Sequence, residues 1–293
     1  ILNIAVFRKE TLYQKMRALI IYLVISAVFV GCTPILSIDA STQSVYHFSD
    51  TDKNISLLDI SETFGTYDGS FVLYDNNLDS WKIYDLEEAT KRIPPESTYK
   101  IYDALLGLES GIITPEHSSM TWNGDAFPFP SWEADQDLNS AMQNSVNWYF
   151  QAIDSQLGIN RVQEFLNKIE YGNQTTSSNL DLYWSDFSLK ISPLEQVTLL
   201  KKFNTNEFHL NSQNVFSVKN AIKIASTPNG NFYGKTGTGR VNGQDINGWF
   251  IGYVETSDNS YYFATNIQSD SNATGKKAFE ITSDILKKLH IWN

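Results

Sequence analysis

Ser97 and Lys100 stand three residues apart, directly after two prolines, Pro94 and Pro95. A proline pair is a natural place for a helix to begin, and residues at i and i+3 share one helix face. The amine of Lys100 can therefore reach the hydroxyl of Ser97, and a desolvated lysine that has lost its proton can activate a serine as a nucleophile. The start of a helix also directs backbone N–H groups towards an anion that develops there. The stretch predicts a nucleophilic serine with a lysine as its base.

Two further motifs follow in the same chain. Ser145-Val146-Asn147 is a Ser-x-Asn element, and Lys235-Thr236-Gly237 is a Lys-Thr-Gly element. Ser-x-x-Lys alone is expected about once by chance in a chain of this length, and Lys-Thr-Gly in fewer than about one such chain in ten. All three in this order are much rarer, so we interpret them as one site. The candidate catalytic residues are Ser97, Lys100, Ser145, Asn147 and Lys235.

Composition excludes several other kinds of site. The net charge of -11 over 293 residues argues against nucleic acid as a partner. A single cysteine, Cys32, excludes an internal disulfide framework and a cysteine-based zinc site. The four histidines lie outside the three motifs, which argues against a Ser-His-Asp triad or a histidine-rich metal site. The sequence therefore predicts neither a metal nor a bound cofactor.

The N-terminal part has the pattern of a membrane segment. Basic residues are scattered over 1–17, and Ala18–Ile38 carries no charge, which is long enough to cross a hydrocarbon core of about 30 Å. The basic flank is expected in the cytoplasm, which places the rest of the chain outside the cell. We therefore predict a cytoplasmic flank (1–17), a single transmembrane helix (18–38), a juxtamembrane linker (39–65) and an extracellular domain (66–293).

Two other interpretations of the N-terminal part stay open. Phe29-Val30-Gly31-Cys32 is similar to a lipobox, in which Cys32 would be acylated after cleavage. A plain cleaved secretory signal is the other. We favour the retained helix, because the polar lead is long for a signal peptide and the chain starts with Ile1, as a fragment of a longer membrane protein would.

The remaining chain has the pattern of one mixed α/β domain. A hairpin is predicted over Gly69–Tyr84 and an antiparallel sheet over the last third, and we expect the terminal strands to share that sheet. Helices are predicted between them, forming a helical subdomain. The predicted helices are Ser97–Leu106, Asp137–Ser155, Asn160–Ile169, Pro193–Lys201, Val218–Ala225 and Lys276–Leu289, and the late strands are Asn231–Thr238, Gly248–Glu255 and Tyr261–Gln268.

Several stretches carry a family resemblance. They are Gly69–Asp75, Ser97–Tyr102, Asn144–Phe150, Tyr171–Asn173, Ser188–Gln196, Tyr233–Gly239 and Asn247–Phe250. Together they resemble class D β-lactamases and, more closely, the penicillin-binding sensor domain of the β-lactam-responsive transducers of Gram-positive bacteria, which control β-lactamase and methicillin-resistance genes. Phe7–Thr11 and the following apolar run look like the last membrane segment of such a transducer. The resemblance implies the serine β-lactamase and transpeptidase-like fold.

The resemblance also implies roles for individual residues. Ser97 would attack the β-lactam carbonyl, with Lys100 as general base, either as a free amine or N-carboxylated by CO2 as in class D enzymes. Ser145 would relay protons, supported by Lys235. The oxyanion hole would consist of the backbone N–H groups of Ser97 and Thr238. Further substrate-binding residues would be Thr236, Gly237, Thr238 and Trp184, of which Trp184 has core packing as an equal alternative.

One position separates a receptor from an enzyme. Class D β-lactamases usually have a valine where this chain has Asn147. A valine keeps the surroundings of a carboxylated lysine apolar, whereas an asparagine can hydrogen-bond Lys100 and favour its free amine. Hydrolysis of the acyl-enzyme then lacks its base. We therefore expect a covalent sensor with slow deacylation.

Alternative functions remain on the same residues. One is a membrane- or lipid-anchored class D β-lactamase, and another is a peptidoglycan transpeptidase, a carboxypeptidase or an inert binding module. In the transducer family the signal passes to a cytoplasmic zinc-protease part earlier in the receptor and then to a DNA-binding repressor. No His-Glu-x-x-His occurs in this chain, so that protease part is expected as a partner outside it. The other partners expected are β-lactam antibiotics and the membrane.

Overall fold

The fold comes from a computed structural model that describes residues 54–177 and 179–293. The predicted cytoplasmic flank (1–17), membrane helix (18–38) and lipidation site (Cys32), with the first part of the predicted linker, lie outside these residues. None of the helices in the two described ranges combines the length and the hydrophobicity that a membrane crossing requires.

Strands stand at both ends of the described chain, with helices between them. The strands are β1 (Ile55–Leu57), β2 (Asp68–Asp75), β3 (Ser80–Tyr84), β4 (Lys223–Thr227), β5 (Gly230–Val241), β6 (Gln244–Glu255) and β7 (Ser260–Gln268). The α-helices are α1 (Ser61–Phe64), α2 (Leu86–Thr90), α3 (Lys100–Glu109), α4 (Leu138–Gln143), α5 (Asn147–Leu157), α6 (Ile159–Ile169), α7 (Pro193–Asn204), α8 (Ser212–Ala221) and α9 (Gly275–Lys288). Short 3₁₀ helices cover Glu96–Tyr99 and Pro130–Trp132.

One sheet joins all strands of the described residues. Its order is β1-β3-β2-β7-β6-β5-β4, so the early hairpin β2–β3 pairs with the late strands through β7, as the sequence predicted. The late strands pair antiparallel, as predicted. The sheet as a whole is mixed, because the short strand β1, which was not predicted, runs parallel to β3. β1 also lies within the range predicted as linker (39–65), so the folded domain includes part of that range.

Both faces of the sheet are covered, and alternate side chains of its central strands are buried in two different cores. In β2, Val72 and Tyr74 face a core shared with the helices of the middle of the chain. The intervening Phe71 and Leu73 face a second core that includes residues of α9. Successive side chains of a strand point to opposite faces, so a strand buried on both sides reads as a continuous apolar run. The sheet therefore separates a helical subdomain from the C-terminal helix.

Two predicted helices were wrong in extent. The stretch Asp137–Ser155 is not one helix but α4 and α5, separated by a turn in which Ser145 has a φ of 53°. A positive φ cannot continue a right-handed helix, and the apolar period crosses the break because both helices pack on the same core. The predicted helix Val218–Ala225 ends at Ala221, and Lys223–Thr227 is the edge strand β4. The side chains of β4 are mostly exposed, so the sequence lacks the apolar alternation that would predict a strand.

Replacing Gly172 by alanine is expected to destabilise the domain by well over the roughly 1–2 kcal/mol that a left-handed backbone costs an ordinary residue. Gly172 has a φ of +50°, and a Cβ there would lie 1.9 Å from the backbone oxygen of Lys190. That oxygen accepts a hydrogen bond from the backbone N–H of Asn173, so it is held in place. Urea denaturation measures the loss.

Gly111 is the matched control, because it has a φ of +70° and open space around the position of a Cβ. It follows the end of α3 in the left-handed conformation of a Schellman motif, with the Ile112 N–H bonded to the Gly107 oxygen. Gly111→Ala is expected to cost only the roughly 1–2 kcal/mol of the left-handed backbone. Equal losses for the two substitutions would show that the close approach of Lys190 has no energetic weight.

Candidate active site

Ser97 lies in the 3₁₀ turn Glu96–Tyr99, which leads directly into α3. The sequence placed Ser97 on the helix itself, but the α-helix begins three residues later, at Lys100. The turn is fixed from behind, since the side chain of Thr98 donates to the Pro95 carbonyl at 2.6 Å and accepts from Gln196 at 2.9 Å. Ser97 is itself half-buried, so its hydroxyl stays accessible at the end of a rigid element.

Lys100 is fully buried and its amine is held by three acceptors. Its Nζ donates to Ser97 Oγ at 2.9 Å, to the backbone oxygen of Ser145 at 3.0 Å and to Asn147 Oδ1 at 2.5 Å. The ring of Phe150 lies 5.6 Å from the same nitrogen. The protonated amine can donate to all three; the neutral amine has two N–H donors and a lone pair that can accept from the hydroxyl of Ser97, the candidate nucleophile.

The surroundings of Lys100 favour its neutral form. Burial first, and the nearby Lys235 second, lower the pKa of Lys100 well below its ordinary value. The carboxyl groups of Asp103 and Glu96 act in the opposite direction with less effect. A neutral lysine at hydrogen-bonding distance from a serine hydroxyl is the arrangement that general-base activation needs.

Ser145 connects the two lysines. Its backbone carbonyl accepts from Lys100, and its hydroxyl accepts a short hydrogen bond from Lys235 Nζ. The left-handed turn between α4 and α5 allows this, because it directs the carbonyl and the side chain of one residue towards different partners. Lys235 also donates to the Thr236 backbone oxygen at 3.0 Å, and burial lowers its pKa to about 7. Ser145 thus holds the two lysines beside each other, and its hydroxyl can exchange a proton with Lys235.

Strand β5 forms the opposite wall of the site and passes very close to the Ser97 turn. A Cβ on Gly237 would lie 3.0 Å from Glu96 Cβ and 3.2 Å from the Ser97 backbone nitrogen. Thr238 Oγ1 accepts from the Gly275 backbone N–H at 2.9 Å, which anchors β5 to the start of α9. Thr236 and Thr238 thus border the site on a strand whose position is fixed on both sides.

A cavity of about 350 Å³ opens over these residues. Its walls combine the nucleophile, the Ser-x-Asn turn, β5 and an aromatic loop. They consist of Ser97, Phe129, Ser131, Trp132, Asn144, Ser145, Asn147, Thr236, Gly237, Thr238, Arg240 and Asp245. The volume is in the range of small-molecule sites.

Trp184, predicted to bind substrate, is not among the residues that line the cavity. It is 2% exposed and packs in an aromatic cluster with Tyr99 and Tyr183, at ring-centroid distances of 6.2 Å and 5.1 Å. Its backbone oxygen accepts from the Glu96 N–H at 3.1 Å, so it supports the Ser97 turn from the core side. The packing alternative fits this position.

Sequence reasoning missed two residues beside the reacting groups, Glu96 and Phe150. Phe150 belongs to the apolar run of α5, where nothing distinguishes a core ring from one facing a lysine. Glu96 directly precedes the nucleophile, and its burial depends on strands that follow far along the chain. Within residues 54–177 and 179–293, no group of three or more His, Cys, Asp or Glu side chains is arranged to hold a metal ion.

A family profile described as "Penicillin binding protein transpeptidase domain" matches residues 65–287. This range contains all three motifs and almost the whole described fold. The chain belongs to this family.

One relative of this transpeptidase-domain chain is a regulatory protein by name, and a solved structure is a penicillin receptor by title. The chain is 44% identical over 283 residues to "Regulatory protein BlaR1" of Bacillus licheniformis, a match that covers 96% of this chain and 46% of that protein. The solved "C-terminal domain of the Bacillus licheniformis BlaR penicillin-receptor" is 46% identical with a TM-score of 0.80, covering 82% of this chain and 98% of that one. The chain spans less than half the length of the curated regulatory relatives that it matches.

An enzyme structure is nearly as similar. The solved "Class D beta-lactamase BAT-2" is 36% identical with a TM-score of 0.76, and the match covers 80% of this chain and 97% of that one. Receptor and β-lactamase therefore share the transpeptidase-domain fold of this chain, and the residues of the site have to separate the two functions.

Proposed function

We propose that this domain is a β-lactam sensor that is acylated covalently at Ser97 and releases the acyl group slowly. The observation that carries the proposal is the geometry of Lys100, whose amine contacts the Ser97 hydroxyl at 2.9 Å and the Asn147 amide oxygen at 2.5 Å. The first contact supports attack on a carbonyl, and the second opposes the modification that rapid hydrolysis would need. The similarity to receptors named BlaR1 and BlaR supports the same conclusion.

Acylation proceeds by attack of Ser97 Oγ on the β-lactam carbonyl carbon. Lys100 takes the hydroxyl proton as the C–O bond forms, and the tetrahedral oxyanion is held by the backbone N–H groups of Ser97 and Thr238. When the oxyanion collapses, the lactam C–N bond breaks and the ring nitrogen takes a proton, supplied through Ser145 and Lys235. Thr236 and Lys235 bind the carboxylate of the drug. The acyl-enzyme is an ester on Ser97, with one proton moved to the former lactam nitrogen.

Retention of the acyl group follows from the state of Lys100. Hydrolysis requires a base for the attacking water, which in class D enzymes is an N-carboxylated lysine. That modification forms from a neutral lysine amine and CO2 with release of one proton. In this chain Asn147 Oδ1 would face the new carboxylate oxygens, acceptor against acceptor, so it favours the free amine. Lys100 takes the serine proton during acylation and is then protonated, so without the carboxylate the hydrolytic water has no base.

A class D β-lactamase is the second candidate. The 36% identity to a class D enzyme over nearly the whole of that protein supports it, and Ser97, Lys100, Ser145 and Lys235 are compatible with turnover. Asn147 is the residue that separates the two, because it contacts Lys100 directly.

The place of this domain in a larger receptor is part of the proposal. We propose that Ala18–Ile38 spans the cell membrane, that the domain is extracellular and that acylation is signalled inward to induce resistance genes. The zinc-protease part would lie in a segment of the receptor outside this chain. This chain covers 46% of the first curated relative, so the rest of a receptor of that length would lie outside it.

The lifetime of the adduct tests the proposed function. The purified full chain is mixed with benzylpenicillin, and the mass of the Ser97 adduct is followed together with hydrolysis of the drug. A rapidly formed adduct that persists for at least a bacterial generation is expected. Steady hydrolysis with an adduct that vanishes within seconds would establish the β-lactamase instead, and a chain without any adduct would contradict both.

The rate of adduct formation is expected to increase with pH and to reach its plateau below the range in which an ordinary lysine titrates. Lys100 can accept the serine proton only in its neutral form, and burial lowers its pKa well below the ordinary value. Lys235, whose own pKa burial lowers to about 7, lowers the pKa of Lys100 further while it is charged.

Lys235→Met provides the comparison for this profile. Without the neighbouring cation the pKa of Lys100 is less depressed, so the acidic limb of the rate profile should move to higher pH, whatever happens to the absolute rate. Stopped-flow measurement of adduct formation gives both profiles. An acidic limb that lies at the same pH in Lys235→Met and in the unaltered chain would contradict Lys100 as the titrating base.

A further inference from the structure

Glu96, the residue before the nucleophile, is a buried acid that the reaction scheme does not use. It is 5% exposed, although it stands in a turn at the edge of a cavity. Its φ is +53°, in the left-handed region that a glutamate rarely adopts. A strained backbone of this kind persists only where the surrounding structure imposes it, and such positions cluster at functional sites.

Contacts from two distant parts of the chain fix Glu96 in this position. Its backbone N–H donates to the Trp184 oxygen at 3.1 Å, and its Oε1 accepts from Asn247 Nδ2 at 3.1 Å. Asn247 also donates to the Pro94 oxygen at 3.1 Å, and Trp249 Nε1 donates to the same oxygen at 2.8 Å. Strand β6 therefore holds both the carboxyl group and the backbone that precedes Ser97.

The Glu96 side chain fills the space between the Ser97 turn and β5. A Cβ on Gly239 would lie 2.3 Å from Glu96 Oε1, and a Cβ on Gly237 would lie 3.0 Å from Glu96 Cβ. A side chain at position 237 or 239 would therefore collide with Glu96, so both positions need glycine. The backbone of β5 and the Ser97 amide are the two sides of the oxyanion hole in the proposed function, and Glu96 sets their separation.

The charge on Glu96 matters at this place. The charged group that faces it is Lys100 of α3, while β5 faces it with glycine backbone and β6 with the neutral Asn247. Nearby on the same two strands, Arg240 Nε and Asp245 Oδ1 pair with each other at 2.7 Å. Burial raises the pKa of Glu96 to about 8, against the weaker opposing effects of Asn247 and Lys100. At neutral pH the group is mainly a carboxylic acid.

We propose that Glu96 is a positioning residue for acylation: as a neutral acid it holds the Ser97 amide against β5, and its ionisation turns acylation off. The inference rests on the proposed function. Two effects of the ionised form act together. A carboxylate behind the oxyanion hole opposes the charge that develops on the carbonyl oxygen. It also favours the protonated form of Lys100, which cannot act as the base.

Glu96→Gln tests the proposal, because glutamine keeps the shape and the acceptor for Asn247 and cannot ionise. Loss of the proton from Lys235, whose pKa is about 7, lowers the rate of benzylpenicillin adduct formation at alkaline pH in every chain that keeps this lysine. In the unaltered full chain, ionisation of Glu96 should lower the rate by about a further tenfold by about pH 9, and this further fall should be absent in Glu96→Gln. Glu109→Gln, an acid-to-amide change on the side chain that bonds Asn211 and Asn214, is the control and should retain the further fall.

A second variant and a second measurement test the same proposal without relying on Glu96→Gln and its kinetics alone. Asn247→Ala removes a hydrogen bond that lowers the pKa of Glu96, so the further fall should move to higher pH. Thermal unfolding gives the other readout. The folded state keeps a proton on Glu96 that the unfolded chain loses, so the Tm advantage of Glu96→Gln should grow from about pH 5 to about pH 8 and then stay constant.

The outcomes separate the two proposals. An alkaline fall that is the same with glutamic acid and with glutamine would overturn the role of Glu96, even if the Tm difference follows its titration. Absence of any Ser97 adduct in the unaltered chain would overturn the proposed function, and the role of Glu96 in acylation with it. Loss of the further fall in Glu96→Gln together with its shift in Asn247→Ala would establish Glu96 as the group responsible.

Discussion

Replacing Lys100 by methionine is expected to slow acylation of Ser97 by a factor of about 10²–10⁴, the usual contribution of a general base. The amine of Lys100 is the group within hydrogen-bonding distance of Ser97 Oγ, at 2.9 Å, and methionine keeps its length without a basic nitrogen. Lys100 itself is fully buried, so removing an amine that must be desolvated should not unfold the protein. Rates of adduct formation by mass spectrometry give the effect, with Ser97→Ala as the blank.

Lys201→Met is the matched control for this substitution. Lys201 bonds the Tyr74 hydroxyl at 3.0 Å and lies over its ring, away from the residues that line the cavity. Its replacement should leave the rate of acylation unchanged. A Lys100→Met chain that is acylated within a few-fold of the unaltered rate would show that another group takes the serine proton.

Replacing Asn147 by valine is expected to shorten the lifetime of the acyl-enzyme at least tenfold when bicarbonate is present. Valine removes the oxygen that contacts Lys100 at 2.5 Å and leaves an apolar neighbour. A neutral, desolvated lysine can then condense with CO2, and the resulting carboxylate can act as base for the hydrolytic water. A tenfold gain needs a lowering of the barrier by only about 1.4 kcal/mol.

Three observations check the Asn147→Val prediction. Hydrolysis of benzylpenicillin should become continuous, its rate should depend on bicarbonate, and a carbamate signal should develop in NMR spectra with ¹³C-bicarbonate. Asn144→Ala is the control, because Asn144 lines the same cavity but its side chain bonds the Ser140 backbone instead of Lys100. An adduct on Asn147→Val as persistent as on the unaltered chain would mean that Asn147 does not govern deacylation.

The spacing of the motifs predicted much of the site. Ser97 and Lys100 are neighbours because a helical turn brings i and i+3 together, whatever the rest of the chain does. The contact of Lys235 with Ser145 joins residues 90 positions apart, and only the rarity of the combined motifs indicated it. The β2–β3 hairpin and the late strands were predictable for the same local reason, since alternation and turn residues lie within a few positions of one another.

Tertiary structure decided the features that depend on distant partners. The break at Ser145 is invisible in the apolar period, because α4 and α5 pack on one core. Trp184 could stand in a cavity or in a core, and only packing against Tyr99 placed it. From the sequence alone Glu96 cannot be told from an ordinary surface acid, yet β5 and β6 bury it and raise its pKa. The sequence by itself thus determined which chemical groups meet through local geometry, while long-range packing decided their protonation, because desolvation depends on everything that surrounds a group.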